Sequence, residues 1–143
     1  MSSITLAWGS IWAFIAGYAV KSKDMKTSRL EAFSDGVLAI IITIMVLAFE
    51  PPDSAQFESL AVIVPTLLSY VISFVFVGMY WSNHHHLLHA TETISGKILW
   101  LNLNLLFWLS LIPFSTAWMD DQLFAHIPVA IYGLILFCCA VAY

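Results

Sequence analysis

Apolar residues in this chain gather into five long blocks, at residues 4–20, 32–49, 57–88, 98–119 and 123–143, parted by short polar gaps such as "EPPDSAQ", "HATETISGK" and "DDQ". None of the blocks alternates with period two, and the last four have the length and apolar content of membrane-crossing helices, roughly 17 to 25 residues each or longer. The pattern predicts an all-α fold, a polytopic transmembrane helix bundle. Pro51 and Pro52 end the 32–49 helix, because proline has no backbone N–H to give and restricts the residue before it. The 57–88 block is longer than a bilayer requires, so it should tilt or project beyond the membrane, carrying "NHHHLLH" in its last turns. Pro65, Pro113 and Pro128 fall inside blocks and are expected as kinks.

The first block, residues 4–20, sits at the lower limit for crossing. It has no basic residue before it and no small-x-small cleavage site after it, so it does not read as a signal peptide. With Lys21, Lys23 and Lys26 behind it, it is expected to span or to lie in the interface. Residues 1–28 thus form an apolar segment with a basic cytosolic linker, and residues 29–143 one membrane module, with no soluble domain, low-complexity linker or internal repeat.

Composition strengthens this picture. Of 143 residues 61% are hydrophobic and only 10% charged, and the mean hydropathy is +0.89. Five basic and nine acidic side chains cannot cover the surface of a 16 kDa globule, which excludes a soluble helical domain. The net charge of −4 argues against nucleic acid as a partner. Cys138 and Cys139 are adjacent in an apolar run and read as buried spectators rather than a disulfide framework.

The five basic residues also orient the chain. Lys21, Lys23, Lys26 and Arg29 precede the 32–49 span and Lys97 precedes the 98–119 span, so an alternating path puts all of them on one face, the cytosolic one. Glu50, Asp53, Glu58, Asp120 and Asp121 fall on the other face, which receives no lysine or arginine.

Gly36, Ile40, Thr43, Leu47 and Glu50 are spaced by four, three, four and three, so at about 100° per residue they form one narrow stripe along a helix. Copies of this helix around an axis would make a conduit with apolar rings at Ile40 and Leu47, a hydroxyl ring at Thr43 between them and an acidic mouth at Glu50. Apolar constrictions gate ions by dewetting, and a ring of acids concentrates cations. The plainer alternative stands beside it: a membrane threonine bonds its own backbone or packs on a neighbour, and Glu50 merely ends a solvated helix.

Charges crowd the start of the same span. Arg29 and Asp35 lie roughly 240° apart around the helix, so they need partners elsewhere. Trp81, Asn83, His84 and His85 at the end of one span, and Asn102 and Asn104 in another, lie at similar depth. An unpaired charge costs about 2.5 to 3.5 kcal/mol at a bilayer centre and less near the interface, which favours a polar belt locking the helices together. A wet interface that simply tolerates these groups is the alternative.

Residues 29–35, "RLEAFSD", match the Arg-x-x-x-Phe-Ser-Asp signature of the transmembrane protein 175 family of potassium channels, and "GVLAIIITIMVL", "YWSNHHHLL" and "WLNLNLLFWLSLIPFSTA" resemble that family's helices in order. The resemblance implies a homotetramer in a lipid bilayer, in prokaryotes the plasma membrane, with a central potassium pore lined by the helix at residues 29–49. It implies no Thr-Val-Gly-Tyr-Gly filter loop, which is absent here, and no cofactor beyond permeant potassium ions. Carried over by position, the family's apolar constriction falls on Ile40, its selectivity-linked hydroxyl on Thr43 and a further apolar layer on Leu47. Arg29, Phe33, Ser34 and Asp35 map to the signature, and with Trp81, Asn83, His84 or His85 to an inter-helix network. Prokaryotic chains of the family usually carry six spans starting just before the signature. This chain has an extra apolar segment first and reaches only the fourth, so the last two are expected to be absent.

Other functions are weighed on the residues. A metal- or haem-binding membrane protein would use the cluster from His84 to His89, in which His85 and His89 are four apart on one helical face. No cysteine or carboxylate set accompanies them, and no metal site is expected. A non-conducting scaffold subunit is a third reading. No nucleophile and base recur at usable spacing, so an enzyme is not expected.

Overall fold

The computed structural model of the chain describes residues 27–52, 54–89 and 94–143, with the side chain of His89 outside the description. The expectations for residues 4–20, Lys21, Lys23, Lys26 and Asp53 lie outside the described residues. Five α-helices make up the described part: α1 Thr27–Val46, α2 Leu60–His89 after a 3-10 turn at Phe57–Ser59, α3 Gly96–Ser110, α4 Ile112–Asp121 and α5 His126–Ala142. They pack as one bundle in which α5 lies against α3 and α4, α1 against α2 and α3, and α2 against α4.

Each boundary has a local cause, and three differ from the pattern-based expectation. α1 leaves α-geometry at Val46 rather than 49, and its end tightens through bonds from the N–H groups of Leu47 to Ile44 O (3.0 Å) and of Phe49 to Val46 O (3.1 Å). The donors that would continue the ladder onto the Leu47 and Ala48 carbonyls belong to Pro51 and Pro52, which have none.

The single span expected at residues 98–119 is two helices. α3 is capped by Ser95, whose hydroxyl accepts from Ile98 N (3.4 Å), and stops at Ser110; α4 resumes after Leu111 with Pro113 in its first turn. Ser115 donates to the carbonyls of Leu111 (3.1 Å) and Ile112 (3.0 Å), supplying hydrogen bonds at the break. The last helix begins at His126, not 123, because α4 closes in a Schellman turn: Phe124 N bonds Met119 O and Leu123 N bonds Asp120 O, both at 2.9 Å, with Leu123 and Phe124 at positive φ. Pro128 therefore falls in the first turn of α5, where it costs little, while Pro65 sits within α2.

The core is apolar and drawn from every helix: Leu38, Ile41 and Met45 of α1, Val77 of α2, Leu105 and Leu109 of α3, Ile112 of α4, and Ile135 and Cys139 of α5. A smaller cluster of Leu30, Leu88 and Ile94 closes the end where α1 begins. Large apolar side chains also cover the outside of α2, with Val62, Val64, Leu68, Val71 and Val75 all exposed, as expected of helices that face lipid. Two stretches, Phe57–Leu88 and Gly96–Asp121, are long and apolar enough to cross a bilayer by length and composition, and His126–Ala142 is a shorter apolar helix.

Candidate functional site

α1 presents two opposite faces. Leu30, Ser34, Leu38, Ile41 and Met45 recur at intervals of three and four and are buried against the rest of the chain. On the other side Phe33, Gly36, Ile40, Thr43, Ile44 and Leu47 are exposed, Ile40 by 58% and Leu47 by 81%. The regular helix carries this outward face through Ile44. Leu47 lies one residue past the α-helix and Glu50 in irregular backbone beyond it, so the 100° rule no longer fixes their directions; both are exposed. The exposed Thr43 hydroxyl donates to the Ile40 carbonyl at 2.9 Å, which spends its proton and leaves its oxygen able only to accept.

At the beginning of α1 the polar residues sort into specific pairs. Ser34, fully buried, donates to the Leu30 carbonyl (2.9 Å) and accepts from Asn102 Nδ2 (3.1 Å), joining α1 to α3. Asp35 accepts from the Trp81 indole N–H at 2.9 Å, joining α1 to α2. His84 is buried and shares a recess of about 380 Å³ with Asn102, and neither ring nitrogen has a hydrogen-bond partner among the described residues.

His85 Nδ1 lies 2.8 Å from Glu31 Oε1, and the ring stacks on Trp81 at 6.3 Å between centroids. Sequence reasoning missed Glu31 in this belt. The signal was present, since Glu31 and Asp35 are four apart and so share the helix face that meets α2. The remaining members of the expected belt are not drawn in: Arg29, Phe33, Asn83 and Asn104 are exposed and join none of these bonds, Phe33 lying on the same outward side as Ile40.

A second polar group was not foreseen. Ser73 of α2, Thr116 of α4 and Tyr132 of α5 meet in the apolar core, with Ser73 Oγ 2.7 Å from Thr116 Oγ1 and 3.0 Å from Tyr132 Oη. All three are buried. At the opposite end from Ser34, Glu50, Asp120 and Asp121 surround an open recess of about 670 Å³. Among the described residues no three or more His, Cys, Asp or Glu side chains gather as a metal site, and the pairing of His85 with His89 falls on a side chain outside the description.

These features align the chain with known proteins. Residues 29–113 match the family described as the endosomal/lysosomal potassium channel TMEM175. A potassium channel of Chryseobacterium sp. (strain P1-3) is 55% identical over 119 residues, 83% of this chain and 62% of that protein. A potassium channel of Streptomyces collinus is 31% identical over 126 residues, 82% of this chain and 61% of that protein. The crystal structure of a lysosomal potassium-selective channel TMEM175 homolog from Chamaesiphon minutus superposes with a TM-score of 0.72 at 30% identity, covering 81% of this chain and 66% of the other. The chain spans about three fifths of the length of the curated relatives it matches. With the family match beginning at Arg29 and covering more than half the residues, this chain belongs to the TMEM175 family of channels and is a membrane protein.

Proposed function

We propose that copies of this chain surround a central axis as a homotetramer and conduct potassium, with α1 of each copy lining the conduit. One observation carries the reading: the stripe of Gly36, Ile40 and Thr43 is exposed on α1 while the opposite face holds the protomer together. A helix apolar on both sides in a membrane has no need of water, so its outward stripe is free to meet the same stripe of other copies. Kinship with proteins named potassium channels in bacteria supports potassium as the ion and a prokaryotic plasma membrane as the compartment of this reading.

In this arrangement the Ile40 side chains form the apolar constriction and Leu47 a second apolar layer, each resisting ion passage by excluding water. Thr43 lies between them. Its hydroxyl proton is given to Ile40 O, so it offers lone pairs, which suit a cation and repel an anion. Glu50 adds negative charge at the mouth that concentrates cations, on the non-cytosolic side if Arg29 and Lys97 face the cytosol. The pairs from Ser34 to Asn102 and from Asp35 to Trp81 hold α1 at the rotation that turns Ile40 and Thr43 outward.

Bilayer recording of the purified chain under opposed potassium and sodium gradients tests the function. A reversal potential that follows the potassium gradient is expected; one indifferent to potassium overturns it. Native mass measurement of the assembly tests the tetramer, which any other subunit number would refute.

A further inference from the structure

The acidic recess does not end at its visible floor. Ala48, Thr66, Ala117 and Asp120 wall it, and the same four residues also wall a small, partly open space adjoining it, bounded further by Met45, Ser69 and Thr116. That space has a volume of about 10 Å³, close to what one water molecule needs. Below it Thr116 leads by hydrogen bonds of 2.7 and 3.0 Å through Ser73 to Tyr132. One turn further along α2 stands Val77, fully buried in the apolar core.

We propose that a single water occupies this space and makes it the inner end of an aqueous branch inside each protomer, running from the acidic recess to the Thr116, Ser73 and Tyr132 hydroxyls. The walls are mostly apolar, with Phe49 and Pro113 among them, but Thr66, Ser69, Thr116 and Asp120 bring polar groups that favour a water over an empty void. Ser69 spends its proton on the Thr66 carbonyl (2.9 Å), so its oxygen can accept from the water, and Asp120 and Thr116, which also line the space, offer further polar partners. Apolar cavities of this kind stay dry, whereas polar ones with two to four partners fill.

The space borders Met45, on the buried face of α1 opposite Ile40 and Thr43. The branch places the three buried hydroxyls in proton exchange with the solution at the acidic end and stops at Val77. It does not depend on the number of subunits or on which ion the protein conducts.

The test uses two buried methionines, of which the one beside the space is the less exposed. Met45 is 3% exposed and borders the space; Met119 is 5% exposed and borders neither the space nor the recess. Brief X-ray radiolysis of the full chain in liposomes generates hydroxyl radicals from bound water, and mass spectrometry reads methionine sulfoxide at each position. Met45 is expected to oxidise several-fold faster than Met119, and the excess to disappear in Thr116→Val, which removes a partner of the water, or in Ala117→Val, which fills the space if the first variant does not fold. Equal oxidation of the two methionines in the unaltered chain overturns the proposal. An excess at Met45 that survives the folded variant overturns it as well.

Discussion

Asn102 Nδ2 lies 3.1 Å from the hydroxyl of Ser34, a buried hydrogen bond between α3 and the first turns of α1. It sets the rotation of α1 about its own axis, because Ser34 shares a face with Leu38, Ile41 and Met45 and its placement turns Ile40 and Thr43 away from the bundle.

Removing one partner should therefore cost more than the bond itself. Asn102→Leu leaves the buried Ser34 hydroxyl with only the Leu30 carbonyl, and a loss of about 1 to 3 kcal/mol of stability is expected. Thermal unfolding in detergent measures it, and a cycle with Ser34→Ala should return a coupling of about 0.5 to 1.5 kcal/mol. Additive effects would mean that the two groups do not interact.

Ile40→Asn separates conduction from folding. Ile40 makes little contact within the protomer, so stability should change by no more than about 0.5 kcal/mol, while wetting of the constriction raises single-channel conductance or leak. Currents unchanged in a folded variant would put the constriction elsewhere.

At Thr43 shape and polarity can be tested apart. Thr43→Val keeps the volume and loses the oxygen, so the potassium-to-sodium permeability ratio should fall; Thr43→Ser keeps the oxygen and should retain it. Bi-ionic reversal potentials give the ratio, and equal ratios in both variants would remove Thr43 from selectivity.

Trp81→Phe deletes the indole N–H that Asp35 accepts at 2.9 Å. A hydrogen bond to a charged group is worth about 1.5 to 3 kcal/mol, and this one is partly exposed, so a loss near or below about 1.5 kcal/mol is expected on thermal unfolding. No change would mean that water replaces the indole.

In the core, Ser73→Ala breaks the junction of Thr116 and Tyr132 at once, and Tyr132→Phe breaks one arm. The first should cost about 1 to 3 kcal/mol and the second less, read by the same unfolding measurement. The reverse order would assign Tyr132 a partner other than Ser73.

The helices themselves were legible in the chain because length and apolar content report directly on what a bilayer demands of a backbone: every N–H and C=O paired within the segment. Pro51 and Pro52 told where α1 must stop to within a turn, and the polar residues at one depth offered a belt or a wet interface, between which only the pairs of Ser34 with Asn102 and of Asp35 with Trp81 speak. Family membership was legible too, from residues 29–35 onward.

What only the tertiary structure decided is which side of each helix faces inward and which polar group takes which partner. In a soluble protein an apolar stripe against a polar face answers the first question; here lipid is as apolar as the core, and Ile40 and Ile41 look alike until one is exposed and the other buried. The second depends on contacts between residues 68 apart, as for Ser34 and Asn102, or 59 apart, as for Ser73 and Tyr132. Such pairs are formed by packing and leave no periodic trace. The break at Leu111 and the early end of α1 at Val46 are likewise settlements between proline geometry and packing, so the chain announces that a break is near while the folded bundle chooses its residue.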